Sequence, residues 1–216
     1  RMLALIAALV VFLAAAFVIT GKPQTTAKTA KPTVGILQLT THPALDAIHK
    51  GIIAGMKQKG YTVGKNVKID FQNAEGDQSN LKSMSERFAE ENAAVMVGIA
   101  TPAAQALADV TSKTPIILGA ITDPKGAKLV QSNTHPGGNI TGVSDQAPIA
   151  SQLALIHQLL PQAKTLGVIS TSSDDSAQTQ AKMVGELAPK AGFKVKQFTI
   201  SSTNDLNQVA GEMVTQ

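Results

Sequence analysis

The chain has 216 residues, 44% of them apolar and 16% charged, with no cysteine, no tryptophan, a single tyrosine and a net charge of +4. These totals describe a globular chain and exclude disulfides, thiolate metal sites and an N-terminal lipidated cysteine. The net charge belongs to residues 1–32, which hold Arg1, Lys22, Lys28 and Lys31 and no acid; the remainder carries 15 basic and 15 acidic side chains, so it lacks the basic face that nucleic-acid binding requires and no nucleic-acid partner is expected.

Arg1 precedes an unbroken apolar run from Met2 to Ile19, which Gly21-Lys22-Pro23 ends. A basic start and an apolar run form the pattern of a signal peptide, and a run of this length also reaches about 27 Å as a helix, close to the hydrocarbon core of a bilayer. Residues 1–20 are therefore read as a signal peptide or signal anchor. Either role associates the N-terminus with the cytoplasmic membrane and leaves the rest extracytoplasmic, at the cell surface or in the periplasm. Residues 21–32, rich in Thr, Lys, Ala and Pro without apolar periodicity, read as a flexible tether.

From Thr33 onward strands and helices alternate. Thr33–Leu39 is β-rich and is followed by a helix start at Pro43; Leu45, Ile48, Ile52, Ile53 and Met56 then recur at helical spacing until Gly60. Val67–Phe71 predicts a strand, Gln78–Asn92 a helix and Ala94–Ile99 a strand. A helix over Pro102–Val110 has Thr101 as its expected N-cap. Pro115–Ala120 reads as a strand, Asp123-Pro124 as the start of a short helix, and Asn139–Ser144 as a strand. Pro148–Leu160 and Ser176–Ala191 read as helices, with Thr165–Ser170 and Phe193–Ile200 as strands and Asn204 capping a last helix.

Such alternation with apolar strands predicts an α/β fold whose parallel sheet is covered on both faces. Five strands complete one doubly wound lobe over residues 33–145. The two strands within 146–216 begin a second lobe and are too few for a stable parallel layer, so the second lobe is expected to be incomplete and the chain truncated at its C-terminus.

In open α/β sheets ligands bind beyond the carboxyl ends of the strands. That rule selects the loops carrying Gln38 and His42-Pro43, Thr101-Pro102, and Thr122-Asp123-Pro124. Helix starts there offer free N–H groups to a carboxylate, and Asp123 offers a partner for an ammonium, a combination suited to a zwitterion such as an amino acid. The same residues are ordinary caps when taken singly; their convergence on one sheet edge favours a site.

The segments GILQLTTHPALDAIHKGIIAGMKQKGY (35–61), KNVKIDFQNAEGDQSNL (65–81), ATPAAQALA (100–108), ITDPKGAKLV (121–130), PGGNITGVSD (136–145) and ISSTNDL (200–206) resemble, in order and spacing, the substrate-binding proteins of bacterial ABC importers assigned to tryptophan or tyrosine. The resemblance implies the type I periplasmic-binding-protein fold: two doubly wound parallel-sheet lobes joined by a hinge, closing on a ligand in the cleft and docking on a membrane permease. It further implies an amino-acid ligand, aromatic in the family; strand-end position assigns Gln38, His42, Thr101, Thr122 and Asp123 to meet such a small zwitterion, with Ser172 and Ser173 expected to reach across from the second lobe. An extracellular ligand-sensing domain of a signalling protein with the same fold is the alternative.

Other chemistries find little footing. His42 and His49, with Asp46, lack the closely paired ligands and fourth group of a zinc site, so no metal or cofactor is expected. Gly60–Asn66 is similar to a phosphate loop but is one residue short and precedes its strand. Ser144-Asp145 has no histidine placed as a base and Ser173-Asp174-Asp175-Ser176 reads as a helix cap, so no enzyme is expected. Most aromatic residues of the body fall on expected core faces, leaving few for a pocket wall.

Overall fold

The computed structural model describes residues 30–215, so the expected leader or anchor, and the expected tether as far as residue 29, lie outside the described residues. Among the described residues no helix is long and apolar enough to cross a membrane. The order is β1 (Thr33–Gln38), α1 (Pro43–Gln58), β2 (Lys68–Asn73), α2 (Gln78–Glu90), β3 (Val95–Ile99), α3 (Thr101–Val110), β4 (Ile116–Ile121), β5 (Ile140–Ser144), α4 (Ile149–Leu159), β6 (Thr165–Thr171), α5 (Asp175–Leu187), β7 (Lys194–Ile200) and α6 (Leu206–Thr215).

Three expected boundaries are corrected, each for a local reason. The helix at Asp123-Pro124 does not form: Asp123 Oδ1 accepts the Gly126 N–H at 2.9 Å, but Lys128 takes a φ of 60°, which a right-handed helix cannot continue through. The helix expected to reach Ala191 ends at Leu187, because Pro189 has no N–H to donate, and a 3-10 turn, Pro189–Ala191, follows. Asn204 does not cap the last helix but lies within a 3-10 turn, where its N–H donates to Ser202 Oγ at 3.2 Å.

The first five strands form one parallel sheet in the order β2-β1-β3-β4-β5. β2 lies on one side of β1 and all later strands on the other, so the winding reverses between β1 and β3. Side chains alternate between the two faces of each strand. Val34, Ile36, Val97 and Ile99 pack under Leu45, Ile48, Ile52 and Met56 of α1. Leu37, Met96, Ile116 and Leu118 pack under Leu81 and Phe88 of α2 and Ala103, Ala104 and Leu107 of α3. β6 and β7 form a separate two-stranded parallel sheet, packed with α4 and α5 around Ile149, Leu153, Ala188 and Phe193.

Phe88 and Phe193 are buried as expected, whereas Phe71 on the edge strand β2 is 37% exposed. It stacks on His49 of α1, with ring centroids 4.1 Å apart and planes within 5°. Burial holds the His49 pKa below its ordinary value of 6.5, outweighing the opposing pull of Asp46, and Lys50 lowers it further. The unfolded chain then takes up the proton first, so His49 contributes stability above pH 6.5 that is lost as the pH falls through its folded value. Urea unfolding midpoints are therefore expected to fall between pH 7.5 and pH 5.5, and to fall less in a His49→Gln variant. Equal declines in the two proteins would remove His49 from the explanation.

Candidate functional site

The winding reversal sets the carboxyl ends of β1 and β3 side by side, which is where an open α/β sheet has its crevice. Gln38 pairs with Ile99 in register, the Leu39 N–H donates to Ile99 O at 3.2 Å, and the Ala100 N–H donates to Gly119 O at 3.1 Å. The two elements thus present Gln38 and Thr101 from adjacent strand ends.

Both residues are buried, Gln38 completely and Thr101 to within 3%. Gln38 Nε2 donates to Thr40 O at 2.9 Å and to Asp46 Oδ1 at 2.7 Å. Its Oε1 has no hydrogen-bond partner among the described residues, and neither has Thr101 Oγ1. A buried polar atom left unpaired costs about 1–3 kcal/mol. Arg87 Nε is also without a hydrogen bond, but the Glu91 carboxylate lies 3.6 Å from it.

The backbone is strained at the same place. Ala100, with φ 77° and ψ 154°, occupies a region that side chains rarely adopt, and Ala120 takes a φ of 58° beside the register shift in β4. Non-glycine residues in such conformations cost about 1–3 kcal/mol each and cluster at functional sites. Ala100, not Thr101, is the N-cap of α3, and Thr101 is the first helical residue. The correction has a functional side: Ala100 has no side chain with which to cap the helix, so none accepts from the N–H groups of the first turn.

Thr122 is 7% exposed and donates to Asp145 Oδ1 at 3.4 Å; its carbonyl accepts from Ser144 Oγ at 3.1 Å. Asp145 thereby joins the row of strand-end groups, a residue that the sequence weighed only as part of a catalytic pair. Asp123 is directed to its own turn, where its carboxylate lies against Gly126. His42 caps α1, its Nδ1 accepting the Ala44 N–H at 3.2 Å.

Ser172 and Ser173, at the end of β6, are exposed. The Ser172 N–H donates to Ile200 O at 3.0 Å, and Ser173 Oγ lies 3.0 Å from Thr171 Oγ1. Ser173 borders a cavity of about 700 Å³ whose other walls include Lys82 and Glu86 of α2 and Gln105 and Asp109 of α3. That cavity runs along the flanks of the helices and takes in none of Gln38, Thr101 or Thr122. The unpaired buried oxygens, not this cavity, therefore mark the candidate site. Across the lobes, Gln105 Nε2 of α3 donates to Asp175 Oδ2 in the first turn of α5 at 3.0 Å.

The sequence model for ABC transporter substrate binding proteins matches residues 33–216. A tyrosine-binding protein of Clostridioides difficile is 39% identical over 181 residues, covering 84% of this chain and 52% of that protein. A solved structure of an ABC domain from Streptococcus pneumoniae in complex with L-Trp superposes with a TM-score of 0.83 at 44% identity, over 87% of this chain and 63% of that one. The ligand-free, open structure of a substrate binding protein from Clostridium difficile gives a TM-score of 0.64 at 37% identity, over 85% and 62%. The chain spans about half the length of the curated relative it matches. The architecture is that of type I periplasmic binding proteins.

Proposed function

Because the chain belongs to the ABC transporter substrate-binding protein family, we propose that it is the extracytoplasmic solute-binding part of an importer, taking a small zwitterionic amino acid between its lobes. One observation carries this reading: two buried, unpaired oxygens, Gln38 Oε1 and Thr101 Oγ1, stand on adjacent strand ends at the reversal of the sheet. Thr101 and the uncapped start of α3 suit a carboxylate, which helix N-termini attract. The amino acids named for relatives, tyrosine and L-Trp, are ligands of this class.

Capture proceeds by hinge closure, with the ligand favouring the closed state through contacts made only there. The closer superposition on the L-Trp complex than on the open, ligand-free relative supports this, as does the Gln105–Asp175 bond across the lobes. The closed protein then docks on a membrane permease, and the N-terminal segment keeps it near the membrane.

Thermal-shift titration of the full-length protein, freed of its N-terminal segment, against the twenty amino acids and a panel of sugars tests the reading. A stabilisation by one or a few amino acids is expected. A response to sugars alone, or to nothing in either set, would reject it.

A further inference from the structure

Gln38 is an amide that cannot be turned over. Its Nε2 faces two oxygens, Thr40 O at 2.9 Å and Asp46 Oδ1 at 2.7 Å, neither of which can donate: one is a backbone carbonyl and the other a carboxylate oxygen. Rotating the amide by half a turn would set Oε1 against both oxygens and lose two hydrogen bonds at once. Both Nε2 hydrogens are thus committed, and the atom left over, the unpaired Oε1, can only accept. Asp46 lies in the first turn of α1, a helix held on the sheet by Leu45, Ile48 and Ile52, so the carboxylate that orients the amide is itself held by the core.

We propose that Gln38 Oε1 is the acceptor that reads the ligand's ammonium group, and that Asp46 is a positioning residue that fixes it in that role. This rests on the amino-acid reading above and deepens it: the site selects for a donor beside the carboxylate. It also moves the ammonium contact away from Asp123, whose carboxylate accepts the Gly126 N–H. An uncharged amide acceptor suits a ligand that is neutral overall.

The test compares L-Trp and L-Tyr with their counterparts lacking the amine, indole-3-propionate and 3-(4-hydroxyphenyl)propanoate, by calorimetry on the full-length protein. Wild type is expected to prefer the amino acids by about tenfold or more, as for a hydrogen bond to a charged group. Gln38→Met keeps the side chain's length but replaces the amide oxygen with a thioether, a weak acceptor, and should lose most of that preference, chiefly by weakening the amino acids. Asp46→Asn, which can donate to Gln38 and so removes one of the two oxygens that oppose a turned amide, should give an intermediate preference. A merely structural role for either residue would weaken both ligand types equally and leave the ratio unchanged.

An unchanged ratio in both variants overturns the inference, including the case in which Oε1 holds only a buried water; so does loss of the preference in Asp123→Asn instead. If Gln38→Met fails to fold, the Asp46→Asn ratio decides. Wild type that binds none of the twenty amino acids overturns the amino-acid reading and this inference with it, a result distinct from binding without discrimination.

Discussion

Thr101→Val is expected to raise the melting temperature of the ligand-free protein while weakening ligand binding. Valine keeps the branched shape of threonine in a site that is 97% buried and removes a hydroxyl that has no partner among the described residues. Relief of an unpaired buried group should stabilise the fold by about 1 kcal/mol, or about 2–4 °C for a chain of this size. The ligand carboxylate loses a charge-assisted hydrogen bond of about 1.5–3 kcal/mol, so affinity should fall by about 10- to 100-fold. Calorimetry with L-Trp and L-Tyr and thermal unfolding without ligand separate the two effects. A hydroxyl that served the fold would give the opposite thermal result, a lower melting temperature in the variant, and that outcome would withdraw Thr101 from the site.

Gly98→Val should strongly destabilise the first lobe. β3 and α3 approach backbone to backbone at this point: a Cβ on Gly98 would lie 2.6 Å from Ala104 Cα and 2.8 Å from Ala104 N, atoms that no rotamer change can move. Overpacking against backbone costs about 3 kcal/mol or more, which corresponds to a fall of roughly 10 °C in melting temperature. The helix that must move is the one that begins at Thr101, so affinity should fall with stability. Thermal unfolding of the variant decides the matter: a loss below about 1 kcal/mol would mean that α3 can lift from the sheet at little cost.

Much of the fold was legible because its signals are local. Val34, Ile36 and Leu37 make a short apolar strand, and Leu45, Ile48, Ile52 and Met56 repeat at helical spacing; both sets are buried or half-buried where their periods put them. Where local signals compete, the reading slipped. Asp123-Pro124 carries the marks of a helix start, but the same Asp123 side chain closes a turn on Gly126 and the chain leaves at Lys128. Thr101 also carries the marks of an N-cap, yet Ala100 holds that position in a conformation that few would assign to alanine.

The candidate site was legible in sequence only as a sheet edge, not as a set of contacts. Strand-end position selected Gln38, Thr101 and Thr122, all of which are buried in the row at the end of the sheet. It gave no reason to separate Thr101 from Asp123, whose difference lies in what each already bonds. Asp46 stood out only as a neighbour of two histidines; its bond to Gln38 joins residues eight positions apart and from two different elements.

The amino-acid sequence by itself determined the α/β class, the extents of most strands and helices, the neutral body beneath a basic N-terminal segment, and the sheet edge at which to look. Those properties are sums over neighbours in the chain, carried by apolar period and by turn-forming residues. Tertiary structure alone decided the strand order β2-β1-β3-β4-β5, the burial of Gln38 and Thr101, and the direction in which the Gln38 amide faces. The physical reason is that hydrogen-bond satisfaction is a property of places: whether an oxygen is paired depends on which distant groups the fold brings within 3 Å, and no residue carries that information alone.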